Sequence, residues 1–288
     1  VTGIALTAII YCAAVYGGSI TAILINTPGT PNAAATTFDG YPMAQRGEAG
    51  RALGIATFSS AFGGIVSIII MVVASPLLAG LAYDFGPSEY FALALFGLTM
   101  LSSISGNSVI KNFIAGAFGI MLGTIGTDFA TGIERFTFGI ASLSEGIKPV
   151  QMMIGLFAGG ELLRQSTKLK EKREMVASAV AKLPSLQDLK KLWVCILRST
   201  GIGVFIGILP AEGGTVAAMI GYNEAKRWSK NSQEFGHGSI EGVAAPEAAN
   251  NAATGGTFVP TLALGIPGGG STAIILSAML ILGLRPGP

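Results

Sequence analysis

Asn26-Thr27-Pro28-Gly29-Thr30-Pro31-Asn32 interrupts a stretch, Val1–Phe38, that contains no Asp, Glu, Lys, Arg or His. A stretch of that length and composition is long enough to cross a bilayer. The same kind of interruption recurs near the other end of the chain. Ala248–Leu284 is equally free of those residues and contains Gly265-Ile266-Pro267-Gly268-Gly269-Gly270-Ser271-Thr272. Each break follows a Gly-Gly pair, Gly17-Gly18 or Gly255-Gly256, and about ten apolar or small residues. A Pro-Gly break frees backbone groups that lipid cannot satisfy, so it survives only against protein or a wet cavity. Two such breaks at matching places in two halves point to a binding site built from discontinuous helices. The fold class that follows is an all-α polytopic transmembrane protein. Its halves are pseudo-repeated, read as inverted, with Pro-Gly-broken helices or re-entrant hairpins.

Composition agrees. Charged residues are 12% of the 288 and hydrophobic residues 50%, against roughly 25% charged in a soluble domain. The 41 glycines fall largely inside apolar runs, where small residues let membrane helices approach closely. A net charge of +2 gives no sign of nucleic-acid binding. Cys12 and Cys195 both lie in or beside apolar runs and make neither a disulfide framework nor a metal motif. No basic n-region or cleavage site opens the chain. It starts mid-pattern and stops just after an apolar run, as an internal fragment truncated at both ends would.

Three regions follow from the pattern. Residues 1–163 form a first membrane half with a broken helix at 26–32. Residues 164–191 form a basic connector; Arg164 to Lys191 holds eight Lys/Arg against three acids, which places it in the cytoplasm. Residues 192–288 form a second membrane half with breaks at 210–214 and 265–272. Expected spans are Gly3–Ile25, Ala52–Tyr83 with a separate piece after Pro76, Tyr90–Ile110, Asn112–Thr127, an interrupted Phe136–Leu163, and Leu192–Leu209. Asn32–Phe38 reads as a short half-helix, Asp39-Gly40-Tyr41-Pro42 as a turn, Gln45–Arg51 as a polar connector, and Ser239–Leu264 as a helix-like run. The two Pro-Gly breaks keep register with their flanks. Pro28 lies eighteen residues before Arg46 and Pro267 eighteen before Arg285. Aligning the two Gly-Gly pairs as well needs one gap.

The half-helix after each break begins with free N–H groups and partial positive charge, where an anion binds without a buried Lys or Arg. The candidate substrate residues are therefore Asn26, Thr27, Pro28, Gly29, Thr30 and Asn32, together with Pro267, Gly268, Gly269, Gly270, Ser271 and Thr272. Thr30 and Asn32 are expected to cap one end, Ser271 and Thr272 the other. The competing reading of either break is a structural kink. Ala245-Pro246-Glu247-Ala248-Ala249-Asn250-Asn251-Ala252 is the second feature. On a helix, Glu247, Asn250 and Asn251 share one face, and such a face must meet a cavity or a partner. These three residues and Glu212 are the ion-coupling candidates. Glu247 can equally mark a helix start after Pro246, and Glu212 can be an exposed loop acid. Asp39 reads as a turn residue. Arg198 is either a counter-charge or a snorkelling side chain, and His237 belongs to a polar loop. No Walker A loop, HExxH or GxSxG is present. With one histidine, no His-centred catalytic site or metal cluster is expected; the chain reads as no enzyme, with no catalytic residues and no bound metal.

The stretches Gly17–Leu24, Asn26–Pro31 and Ala34–Met43, with Ile240–Ala252, Gly255-Gly256 and Gly265–Gly268, resemble the large membrane subunit of the tripartite tricarboxylate transporters. The resemblance runs over nearly the whole chain. It implies a multi-pass protein of the bacterial inner membrane that imports citrate or other carboxylates. A small membrane subunit and a periplasmic solute-binding protein are the implied partners. It also implies a Na⁺ or H⁺ gradient as the driving force and no tightly bound cofactor; membrane lipid surrounds the chain. A passive anion channel and another class of binding-protein-dependent carboxylate transporter are the alternatives. One departure stands out: the family commonly has Pro-Gly-x-Gly-Gly where this chain has Pro210-Ala211-Glu212-Gly213-Gly214.

Overall fold

The fold was obtained as a computed structural model. It describes residues 2–82, 109–128, 132–147, 180–209 and 213–287, with single residues between 86 and 95 and between 152 and 166. Nine α-helices are described: α1 (Thr2–Ile25), α2 (Thr37–Gln45), α3 (Ala49–Ala82), α4 (Val109–Gly123), α5 (Ala141–Ser144), α6 (Leu186–Ile208), α7 (Gly213–Trp228), α8 (Ile240–Leu264) and α9 (Gly270–Ile281). Short 3₁₀ turns lie at Pro31–Ala33 and Ser232–Glu234. A two-residue antiparallel pairing, Gly126 with Arg135 and Thr127 with Glu134, is the only sheet among the described residues.

Among the described residues, three helices are long and apolar enough to span: Thr2–Ile25, Ala49–Gly80 and Leu186–Ile208. At 1.5 Å per residue, the 24 residues of α1 reach about 36 Å, enough for a hydrocarbon core of about 30 Å. Helix α8 is different. It carries Glu247, Asn250, Asn251, Thr254, Thr257 and Thr261, yet 21 of its 25 residues are buried. Protein rather than lipid surrounds it, and α3, α6 and α7 supply most of that wrapping.

Small residues make the wrapping possible. A Cβ on Gly207 of α6 would fall 2.6 Å from the Ala253 carbonyl oxygen and 2.9 Å from Gly256 Cα. Gly63 of α3 sits on Ala248, Gly203 of α6 on Ala249, and Gly221 of α7 on Ala245 and Ala249. The pairings also set direction. Along α3, Ser60 meets Glu247 and Ser67 meets Gly255, so α3 runs parallel to α8. Along α6, Gly203 and then Gly207 meet successive turns of α8, so α6 is parallel too. Helices α1 and α7 run the other way: Ser19 meets Glu247 while Cys12 meets Thr254, and Gly221 meets Ala245 while Gly214 approaches Asn250.

The N-termini of α3 and α6 are pinned together. Arg51 bridges Asp188 at 2.5 Å and Glu48 at 3.0 Å. Ser185 and Asp188 form a capping box, and the Lys182 N–H donates to the Gly50 carbonyl at 2.8 Å. This end is where the basic connector rejoins the bundle.

Several local expectations change. Asn32–Phe38 is not a half-helix; a 3₁₀ turn at Pro31–Ala33 precedes α2. Asp39-Gly40-Tyr41-Pro42 is not a turn but the body of α2, with Pro42 inside the nine-residue helix, where it leaves one helical N–H bond unmade. The connector Gln45–Arg51 shrinks to the residues between Gln45 and Ala49. Helix α3 runs through Pro76 without a break. Helix α8 starts at the Ser239 cap, so Pro246 lies inside it rather than opening it. Most of Tyr90–Ile110 and of the basic connector lies outside the described residues, as does about half of Phe136–Leu163, whose described start holds turns and the short α5 instead of a span.

Replacing Gly207 with Leu is expected to destabilise the bundle by about 1–3 kcal/mol through overpacking. A lowered melting temperature of the detergent-purified protein would register this. Gly201→Ala on the same helix, with no described atom within 4 Å, is expected to leave the melting temperature unchanged.

Candidate functional site

The two Pro-Gly breaks close in the same way. After α1, Asn26 turns left-handed with φ 52°. Thr27 then donates its N–H to the Thr21 carbonyl at 3.3 Å, and Gly29 donates to the Gly18 carbonyl at 3.0 Å. After α8, Gly265 turns left-handed with φ 68° and Ile266 donates to the Pro260 carbonyl at 3.3 Å. Each closure reaches six residues back. Gly29 then lies on Gly18, where a Cβ would fall 2.8 Å from Gly18 Cα; Gly268 lies on Thr257, where a Cβ would fall 2.7 Å from Thr257 Cα. Each of these contacts reaches eleven residues back. The gap needed to align the Gly-Gly pairs in sequence disappears, because Gly18 corresponds to Thr257 rather than to a glycine.

The breaks also meet. Helix α7 begins at Gly213, φ 63°, just beyond the third break; Pro210, Ala211 and Glu212 lie outside the described residues. Thr215 Oγ1 donates to Asn32 Oδ1 at 2.8 Å. Asn250 Nδ2 donates to the Asn32 carbonyl at 3.3 Å. A Cβ on Gly214 would fall 2.6 Å from Asn32 Nδ2, and one on Gly269 would fall 3.8 Å from Gly213 Cα. The first turn of α7 thus lies beside the 3₁₀ turn and next to the start of α9, with Asn32 joining break one, α7 and α8. Helix N-termini carry partial positive charge and unpaired N–H groups, so this junction offers an anion-binding surface made of backbone.

Individual caps differ from expectation. Thr30 makes no side-chain cap bond, and its Oγ1 is buried beside Gly18 without a hydrogen-bond partner among the described residues. Asn32 spends its side-chain oxygen on Thr215 instead of capping its own turn. Thr272 does cap: its Oγ1 accepts from the Gly269 N–H at 3.0 Å. Ser271 and Gly29 are exposed at the surface of their breaks, while Gly268 is buried and accepted by Thr261 Oγ1 at 3.2 Å. Asn26 is exposed, and Thr27, Pro28, Pro267, Gly269 and Gly270 are half-buried.

Glu247 is completely buried. Its Oε1 accepts from Ser19 Oγ of α1 at 2.6 Å and from Thr36 Oγ1, and its Oε2 accepts from Ser60 Oγ of α3 at 2.9 Å. Asn251 Nδ2 instead donates to the Glu247 backbone carbonyl at 3.0 Å and to Asn250 Oδ1 at 2.5 Å. The three polar residues of α8 therefore share a face; hydroxyls from other elements serve the carboxylate, with the Asn250 amide beside it. Arg198 is no counter-charge here; its guanidinium lies over the Trp228 ring at 6.0 Å. A cavity of about 600 Å³ opens between α1, α3, α8 and α9. Its walls are mainly apolar, with Ser60, Asn251 and Thr254 among its polar groups, and neither Asn26–Asn32 nor Gly265–Thr272 lines it.

Asp39 is the residue that sequence reading misjudged most. It is fully buried. Oδ1 accepts the N–H groups of Gly236, Gly238 and Ser239 at 2.9, 2.8 and 2.7 Å, and Oδ2 accepts the Tyr222 hydroxyl at 2.9 Å. Ser239 is the N-cap of α8, so the carboxylate of α2 sits at that helix's positive end. Sequence reading also missed Ser19, Thr36, Ser60 and Thr215. The available signal was a hydroxyl beside a Gly-Gly pair in Ser19 and Thr215; Thr36 and Ser60 carry none.

With this geometry in hand, comparison with known proteins decides the family. A family model described as "Tripartite tricarboxylate transporter TctA family" matches residues 1–288. The chain belongs to that family. It is 42% identical over 288 residues to an uncharacterized 52.8 kDa protein in the TAR-I ttuC' 3' region of Agrobacterium vitis, covering 100% of this chain and 57% of that protein. It is 49% identical over 86 residues to an uncharacterized protein in the TAR-II ttuC' 3' region of the same organism, covering 30% of this chain and 36% of that one. The chain thus spans a little over half the length of the longer match. No solved structure matches. The family is one of membrane transporters, and the three apolar spans agree with that.

Asp39→Ala strips three backbone N–H groups and a phenol of their acceptor. Hydrogen bonds to a charged group contribute about 1.5–3 kcal/mol, so a destabilisation of at least about 3 kcal/mol is expected. Thermal denaturation in detergent measures it, and Asp39→Asn is expected to lose less, since one oxygen remains.

Proposed function

We propose that this chain forms the core of the permease subunit of a binding-protein-dependent secondary transporter. It imports tricarboxylates or related carboxylates across the bacterial inner membrane, driven by a Na⁺ or H⁺ gradient. A periplasmic solute-binding protein delivers substrate, and a small membrane subunit completes the complex. The observation that carries this reading is Asn32 of the first break held by the first turn of α7 and by Asn250 of α8, with Gly269 of the second break beside Gly213 and no Lys or Arg among these described contacts. Substrate carboxylates bind between Asn26–Asn32 and Gly265–Thr272, with the first turn of α7 as a third wall. Glu247, Asn250 and Asn251 form the ion-linked flank, and Glu212 stands by the third break as a further candidate.

The matching closures at Asn26–Gly29 and Gly265–Gly268 support a pseudo-repeat, with inverted halves. Alternating access then moves the broken-helix elements past the tightly packed α3, α6 and α8. A passive anion channel would use the same dipoles but would need no gradient. Uptake of di- and tricarboxylates by the full-length complex in proteoliposomes, with and without imposed Na⁺ or H⁺ gradients, separates the two readings.

Pro267→Ala and Asn32→Ala are each expected to abolish most uptake while leaving membrane insertion intact. The first restores an N–H and relaxes the break; the second removes the acceptor of Thr215. Normal uptake in both variants, at normal membrane levels, would reject the site.

A further inference from the structure

Among the described residues, Asp39 and Glu247 are the two carboxylates with no solvent exposure. Their surroundings differ. Asp39 accepts from three backbone N–H groups at a helix N-terminus and from the Tyr222 hydroxyl. Glu247 is held by three hydroxyls, from Ser19, Thr36 and Ser60, with the Asn250 amide beside them. A hydroxyl both donates and accepts. The same three groups can donate to a carboxylate, and one of them can accept from a carboxylic acid after turning its O–H. The Glu247 pocket is therefore satisfied in both protonation states.

Among the described residues, no ion pair supplies a neutralising charge. Ionisable groups on the elements packed around Glu247 are committed elsewhere. On α1, Cys12 meets Thr254 and Tyr16 meets Thr57. Asp39 on α2 binds its loop and Tyr222 of α7. Arg51 on α3 bridges Glu48 and Asp188. On α6, Cys195 faces the Glu241 carbonyl and Arg198 faces Trp228. No ion pair to Glu247 occurs among the described residues. The hydroxyl contacts at 2.6 and 2.9 Å are direct oxygen–oxygen hydrogen bonds, and they leave no space for a metal cation between those oxygens. An uncompensated charge at such a place is costly, and a proton is the one cation that fits without rearrangement.

The pocket is also wired to the breaks. Thr36 lies four residues beyond Asn32, in the segment between break one and α2. Asn250, one turn along α8 from Glu247, holds the Asn32 carbonyl. A shift of segment 31–36 on binding an anion changes the hydroxyl set around Glu247. Ser60 further lines the 600 Å³ cavity, so a single hydroxyl separates the carboxyl from that space.

We propose that Glu247 is the proton carrier of this protein, with Ser19, Thr36 and Ser60 as its reversible hydroxyl shell. The coupling role rests on the transport reading above; the proton site itself does not. The proton joins one carboxylate oxygen on one side of the membrane and leaves it on the other, with no change in covalent bonding elsewhere.

The test uses the full-length permease with its small membrane subunit. Infrared titration of the purified complex is expected to show a protonated-carboxyl stretch that titrates in the wild type and is lost in Glu247→Gln. Ser60→Ala, which keeps the carboxyl, is expected to move the midpoint without removing the band. In proteoliposomes, a pH gradient alone is expected to drive citrate uptake, and Glu247→Gln is expected to lose that drive. The proposal is overturned by an unchanged infrared titration in Glu247→Gln, by retained pH-driven uptake in that variant, or by full uptake from a Na⁺ gradient at uniform pH. No uptake of any di- or tricarboxylate under either gradient would overturn the transport reading and the coupling role with it. The infrared result would still decide the proton site.

Discussion

The rest of this structure depends on one constraint: a polar helix at membrane depth must have every polar group met by protein. Helix α8 carries a carboxylate, two amides and three threonines through the middle of the bundle. Lipid cannot serve them, so three helices approach at backbone distance. Glycines at 63, 203, 207 and 221 make that approach possible by meeting alanines of α8. The threonines then bond back to their own helix, Thr254 to Asn251 and Thr257 to Thr254. What remains for other elements is Glu247 and Asn250. These two draw in Ser19, Thr36, Ser60 and Asn32, and with them the whole first half of the chain.

The breaks obey the same constraint. A helix that stops inside the bundle leaves carbonyls and N–H groups unpaired. Both breaks solve this by a left-handed residue followed by an N–H that reaches six residues back, then a glycine lying on the helix it left. Asn26 holds the left-handed position in one and Gly265 in the other, and Asn tolerates that region better than other residues with a Cβ. The closure satisfies the outgoing end. The incoming ends of α7 and α9 keep their positive partial charge and lie side by side at Gly213 and Gly269, with Asn32 against the first of them.

Much of this was legible in sequence because it is local. Charge-free length marks α1 and α3, and Pro with Gly marks the breaks. The Gly-Ala richness of 240–264 and its Glu247-Asn250-Asn251 face mark a helix that cannot face lipid. What was not legible depends on partners far away in the chain. Asp39-Gly40-Tyr41-Pro42 has the composition of a turn, and only the loop at Gly236–Ser239 shows that its Asp anchors a helix. Ser19, Thr36 and Ser60 look like ordinary hydroxyls in apolar surroundings until Glu247 gathers them. Thr215 acquires meaning only through Asn32. The gap in the apparent repeat was an error of the same origin: sequence matched glycine to glycine, while the backbone matches Gly18 to Thr257.

An anion site made from helix ends has a consequence for charge balance on the proposed reading. Each helix N-terminus is worth about half an elementary charge. The ends of α7 and α9 together then offset about one negative charge, and no basic side chain contacts the junction at Asn32. A di- or tricarboxylate brings more charge than that into a place where water is scarce. The surplus must be met by cations that travel with the substrate, or by protons on it. A permease that recognises carboxylates through backbone alone is thereby obliged to move cations as well. On the proposed reading, coupling to an ion gradient then follows from how the anion is held rather than from a separate device added to the fold.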